Sequence, residues 1–141
     1  MTKERLRKYR AIKLERDHIR AKIEEIETLL YSLRSPQMSG MPRGGNETRD
    51  DRRDALIERK TELRALYAQK EEALDMEILA IEAAISALSN PIERTLMRLY
   101  YIDGLTWEEV AVRIHYGWTK THELHGSALR QLKQQEIADE E

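Results

Sequence analysis

His122 and His125 stand one helical turn apart, and His115 lies just upstream in the same 141-residue chain. Two imidazoles at that spacing on one helix face can share a metal ion. A zinc site wants a third strong ligand, and the surrounding sequence supplies none; the chain has no Cys. The pair is therefore read as packing residues, His125 at the edge of a buried face and His122 on the exposed one. There is also no Gly-rich phosphate loop, no Ser-His-Asp order and no pair of carboxylates set for acid-base work. The acids fall at helical spacing opposite bases, the pattern of a solvated charged face. No catalytic residue, no cofactor and no metal is expected, and the chain does not read as an enzyme.

The segment around the histidines carries a different chemistry. Thr121, Leu124, Ala128 and Leu132 recur at helical spacing and form an inner face. Trp118, Thr119, Lys120, His122, Glu123, Ser127 and Arg130 are left outward or partly so. Lys120 can pair with a phosphate or a guanine, Thr119 and His122 can donate to base edges, and Glu123 can accept from cytosine. Trp118 either covers the preceding turn or touches the ligand. The plain alternative for each of these residues is exposure to solvent without contact.

Three short helices must position that row. Asn90 is a cap, Pro91 follows at the first helical position, and Glu93 is placed to reach back to the cap. Ile92, Leu96, Leu99 and Tyr100 supply an apolar face, and Asp103-Gly104 breaks the helix. Thr106 with Glu109 three residues on is a capping box for the next helix. Val110, Ala111 and Ile114 are its buried face, with Ala111 small where two helices must cross closely. Trp107 is expected to pack on the core or on the helices upstream. His115-Tyr116-Gly117 is the turn into the third helix. This is the spacing of a helix-turn-helix, whose second helix meets base edges with its N-terminal residues. A small helical core without any ligand is the competing reading.

The stretch LMRLYYIDGLTWEEVA, followed by YGWTKTHELHGSAL, resembles the C-terminal half of the ArpU/RinA-like phage transcriptional regulators. That half is similar to the promoter-reading helix-turn-helix domain of bacterial sigma factors. The linker from Ser35 to Gly44, SPQMSGMPRG, is similar to the Ser-Pro…Gly-Met-Pro-x-Gly connector of the same group. The resemblance covers the linker and the C-terminal third. Two positions depart from it: His115-Tyr116-Gly117 stands where the group has Gly-Tyr-Ser, and Glu123 stands where a basic residue is usual. The resemblance implies a phage- or prophage-type regulator that contacts promoter DNA.

Composition sets the frame. Charged residues are 35% and there are 6 Gly, 3 Pro and no Phe, which points to long helices and a core made of stripes between them. The absence of Cys excludes disulfides. The basic N-terminus has no apolar run behind it, and no stretch reaches the length of a membrane span, so the expected location is the cytoplasm of a bacterium or phage-infected host cell. Net charge is −2. Residues 1–22 hold nine Lys or Arg against three acids, residues 91–135 hold six against five, and residues 136–141 add four acids. The helix-turn-helix is near neutral, so weak DNA binding by a single chain is expected.

Residues 3–34 show no breaker. Ile12, Ile19, Ile23, Ile26, Leu30 and Leu33 form a heptad-like stripe that Tyr9 extends and Arg16 interrupts. Residues 35–50 carry two Pro, three Gly and small polar residues and read as a mobile connector, with Met38 and Met41 free to pack over the helix ends. Residues 51–89 give a second stripe through Leu56, Leu63, Leu66, Tyr67, Leu74, Ile78, Ile81, Ile85 and Leu88, in a helix expected to run on to Asn90. The predicted fold is all-α: a long antiparallel coiled-coil hairpin over 1–89, a three-helix helix-turn-helix domain over 90–135, and an acidic tail over 136–141. Double-stranded DNA is the expected partner. The coiled region is expected to mediate homo-oligomer formation or contact RNA polymerase, with no membrane involved. Two other functions fit the same elements: a phage small terminase subunit that binds DNA for packaging, and a helical scaffold whose helix-turn-helix does not bind.

Overall fold

The structure, a computed structural model, describes residues 1–34 and 46–140. Among these residues all regular structure is helical: α1 (Lys3–Arg34), α2 (Asn46–Ser86), α3 (Pro91–Met97), α4 (Trp107–Ile114) and α5 (Trp118–Glu140), with a π-helical turn (Arg98–Ile102) following α3 directly. No helix among them is long and apolar enough to cross a membrane. The chain divides into two compact units, Met1–Leu14 with Glu72–Glu141, and Glu15–Glu71.

In the second unit the core is Ile19, Ile26 and Leu63, flanked by Ile23, Leu30, Leu56 and Tyr67. Polar pairs border it: Glu15 with Lys70 at 3.2 Å, Arg16 with Glu71 at 2.6 Å, and Glu27 with Lys60 at 3.4 Å. Residues 15 and 16 of α1 meet 70 and 71 of α2 while residue 27 meets 60, so these stretches run in opposite directions. Arg16 interrupts the apolar stripe without leaving a bare charge, because its guanidinium bridges Asp17 and Glu71. Leu66, expected in the stripe, is 40% exposed. Leu63 and Tyr67, four residues apart, already fill that side, and Leu66 lies off their line.

The bounds of α2 differ from those expected. It begins at Asn46 rather than at 51, so residues 46–50 are helix and not connector. The reason is local: the last breakers of the connector are Gly44 and Gly45, and NETRD contains neither Gly nor Pro. The remainder of the connector expectation, with Met38 and Met41, lies outside the described residues. At its other end α2 stops at Ser86 and does not reach Asn90. The Leu88 amide bonds to Ile85 O at 3.0 Å, which tightens the last turn. The freed carbonyls find side-chain donors: Arg94 donates to Leu88 O at 2.6 Å and Gln135 to Ala87 O at 3.1 Å.

The first unit holds the larger core, in which Leu6, Ile81, Ile85, Leu96, Met97 and Val110 are fully buried. Each such side chain stabilises by roughly 1.5–3 kcal/mol relative to exposure. Helix α5 packs on α3 and α4, and α3 packs on α4. Asn90 caps α3 by accepting from the Ile92 amide at 2.9 Å, with Pro91 at the first position. Glu93 makes no bond back to the cap and is 5% exposed. In the π turn, Asp103 donates to Arg98 O at 2.9 Å, closing a five-residue step. The extra residue rotates the apolar face. Tyr101 is buried, whereas Leu99 and Tyr100, expected inside, are half-buried. Gly104 then turns the chain at φ +77°, and a Cβ there would sit 3.2 Å from a Leu14 methyl.

Candidate nucleic-acid interface

The interface is built on α4, the turn after it, and α5. The capping box forms as the spacing predicts: the Thr106 hydroxyl accepts from the Glu109 amide at 3.3 Å, and the Glu109 carboxylate accepts from the Thr106 amide at 3.2 Å. Val110 is fully buried, and Ala111 and Ile114 are half-buried. The small residue at zero exposure is Ala128 on α5, whereas Ala111 keeps part of its surface open. Helix α4 ends at His115 in the left-handed conformation, φ 61°, ψ 37°. The Tyr116 amide returns to Ala111 O at 3.2 Å, which sets the direction in which the chain enters α5.

Thr121, Leu124, Ala128 and Leu132 are all buried, as the periodicity requires. That fixes the opposite face of α5. Trp118, Thr119, Lys120, Glu123 and Arg130 are exposed, and Ser127 is half-buried. Thr119, Glu123, Gly126, Arg130 and Lys133 fall on one row at alternating four- and three-residue spacing, away from the core. His122 departs from the expected placement. It is half-buried rather than exposed, its ring centred 4.3 Å from that of Trp118 and 5.0 Å from that of Trp107. Its Nε2 atom is buried and has no hydrogen-bond partner among the described residues. The two tryptophans take the side chain that was expected to point outward.

An aromatic cluster supports this row from beneath. Trp107 stacks on Tyr100 at 3.8 Å with planes 15° apart, and meets His125 edge-on at 4.5 Å. The Arg10 guanidinium covers Tyr100 at 4.1 Å and donates to Tyr100 O and Leu105 O at 3.0 and 3.1 Å. His125 Nε2 and the Tyr101 hydroxyl share a 2.7 Å hydrogen bond. Burial pushes His125 down to about 4, with the charges of Lys3, His122 and Arg7 acting in the same direction. Burial likewise pushes Tyr101 up to about 12. Both are neutral at pH 7. His125 is spent on this bond and His122 on ring packing. Among the described residues no three His, Asp or Glu side chains gather as a metal site would need.

Three features of this surface carried no clear sequence signal. Val112 and Tyr116 are exposed around the turn, at 72% and 39%, beside Trp118 at 55%, which the helical spacing already placed outward. Arg10 reaches from α1 to the π turn, across a separation no local pattern encodes. The start of α1 lies against α5, where Lys3, Glu4, Arg130, Lys133 and Glu136 help line a cleft of about 350 Å³. The surface is thus an open helix row with a capped helix behind it, an aromatic support and cations at one end. No protein-family model, curated protein or solved structure matches the chain.

Proposed function

We propose that this chain is a phage- or prophage-type DNA-binding transcriptional regulator, in which α4 and α5 act as a helix-turn-helix contacting promoter DNA, and α1 and α2 form an antiparallel coiled-coil hairpin. One observation carries the reading. A box-capped short helix and a left-handed turn deliver a second helix whose buried residues are Thr121, Leu124, Ala128 and Leu132, leaving Thr119, Lys120, Glu123 and Arg130 open on its far side. Lys120 and Arg130 are ten residues apart, roughly 15 Å along a helix. The major groove is about 12 Å wide, so the two cations suit its two walls, with Glu123 and Ser127 between them. The resemblance to the ArpU/RinA-like regulators and to sigma-factor promoter domains points the same way, and extends the proposed partners to RNA polymerase. Self-association through the coiled region belongs to the same proposal, as does a cytoplasmic location.

A scaffold that does not bind DNA is the second reading. It is favoured by the exposed Val112, Tyr116 and Trp118 beside the turn, an apolar group more typical of protein contact. Selecting bound fragments from the source genome separates the readings. Enrichment at promoters supports the regulator, enrichment at a packaging start supports a small terminase subunit, and no enrichment supports the scaffold. On an enriched fragment, Thr119→Ala is expected to relax preference at one base position by about 1–3 kcal/mol. Lys120→Ala is expected to weaken all sequences alike. The opposite pattern would remove Thr119 from base readout.

A further inference from the structure

We propose that the first two turns of α1 and the middle of α5 form one composite phosphate-binding strip, with Lys3 and Arg7 from α1 and Arg130 and Lys133 from α5 gripping a single DNA backbone. The inference rests on the DNA-binding reading above and adds an element that a helix-turn-helix alone does not supply.

The basic start of α1 and the outward row of α5 lie more than 100 residues apart in the sequence. The fold joins them. Leu6 is fully buried and Tyr9 nearly so, in the same core as Leu124, Ala128 and Leu132. Seating Leu6 inward leaves Lys3 and Arg7, four residues apart, exposed together on another side of α1. Lys3 shares a cleft with Arg130 and Lys133. Arg7 stands one turn further along α1 from Lys3, on the same exposed side.

These cations are also available. Among the described residues neither Lys3, Arg7, Arg130 nor Lys133 takes part in an ion pair, whereas their neighbour Arg5 is held by Glu77 at 2.6 Å. Unpaired cations from two helices, held by a buried Leu and a buried Ala rather than by carboxylates, suit a ligand that brings its own spaced negative charges. A phosphodiester backbone does so. Glu4 and Glu136 share the cleft, and the Met1 ammonium lies 3.8 Å from Glu136, so four cations there face two acids. The strip therefore grips modestly and gains when either acid is neutralised.

The test is quantitative DNA binding by the full chain over a salt series, on an enriched fragment and on random duplex. Lys3→Gln/Arg7→Gln and Arg130→Gln/Lys133→Gln are each expected to weaken both duplexes equally, and to lower the slope of log K against log salt by roughly two units, one for each phosphate no longer neutralised. Glu4→Gln should tighten binding. Arg52→Gln/Arg53→Gln, which removes equal charge from exposed sites in the other unit, should change neither quantity. Thermal melts confirm that each variant folds. If the α5 pair lowers the slope and the α1 pair does not, the composite strip is wrong while the DNA-binding reading stands. An equal fall in the Arg52/Arg53 control also overturns the strip, since net charge alone would then explain the data. A wild-type chain that binds neither duplex overturns both.

Discussion

His125 and Tyr101 carry the most testable single-residue chemistry. Tyr101 sits in the core of the first unit and His125 is half-buried beside it, and their 2.7 Å bond satisfies two polar groups that burial would otherwise penalise. His125 has a folded-state value of about 4 against 6.5 for a free imidazole. The unfolded chain thus binds a proton below pH 6.5 that the folded chain refuses, and stability falls as pH drops from 6.5 toward 4. From pH 7.5 to 5.5 the loss is expected to be roughly 1 kcal/mol. Urea midpoints at the two pH values measure it, and His125→Gln should remove most of the difference. A variant with the wild-type pH response would show that another group titrates. Ala128 supplies a second test, because it is fully buried between α5 and its neighbours. Ala128→Leu is expected to lower stability by about 1–3 kcal/mol through overpacking. Ala111→Leu, at a half-buried site, should cost less.

At the scale of elements, the caps were legible and the breaks in helix phase were not. Asn90, Thr106 and Glu109 act within three residues of chain, so their bonds depend on little beyond local conformation. Thr106→Ala should cost about 1 kcal/mol, read as a drop in melting temperature, because it removes the hydroxyl that accepts from the Glu109 amide while leaving the Thr106 amide free to donate to the Glu109 carboxylate. If Thr106→Ala melts like the wild type, that hydroxyl contributes nothing to stability. The π turn is different. Nothing in RLYYI marks an inserted residue, because a five-residue step is held by what surrounds it. Arg10 reaches over Tyr100, Trp107 stacks on the same ring, and Tyr101 turns inward to His125. The same holds for the end of α2. Ser86 is no stronger a breaker than its neighbours, and the stop is supported by Arg94, Gln131 and Gln135, which donate to residues 87–89 from α3 and α5.

For the chain as a whole, net charge is −2, yet the proposed interface gathers Lys3, Arg7, Lys120, Arg130 and Lys133 on the first unit. A near-neutral protein with a local cationic strip should bind DNA with strong dependence on salt and little affinity at high ionic strength. With about four backbone contacts, affinity should fall on the order of 10²-fold between 50 and 200 mM salt. Fluorescence anisotropy on a labelled duplex measures this, and a flat profile would mean that apolar contacts around Val112, Tyr116 and Trp118 dominate instead. The solution mass is a separate readout: a monomer or dimer of the 16.6 kDa chain accords with a regulator, and a large ring accords with packaging.

What the sequence determined by itself was whatever repeats at helical spacing or closes within one turn: the helical class, the inner face of α5, the alternating stripes of α1 and α2, and the caps at Asn90 and Thr106. Periodicity selects which side of a helix is apolar, and capping chemistry selects where it starts, so both can be read from a single strand of text. The tertiary structure decided everything that depends on two distant segments meeting. It set Tyr101 rather than Tyr100 in the core, drew His122 between Trp107 and Trp118, and buried Ala128 fully while Ala111 stays half-buried. It also brought the start of α1 to α5. A lysine at position 3 and an arginine at position 130 carry no mutual signal in sequence. They become neighbours because burying Leu6 with the apolar face of α5 removes both from water at once, and the charged residues follow the backbone that this burial positions.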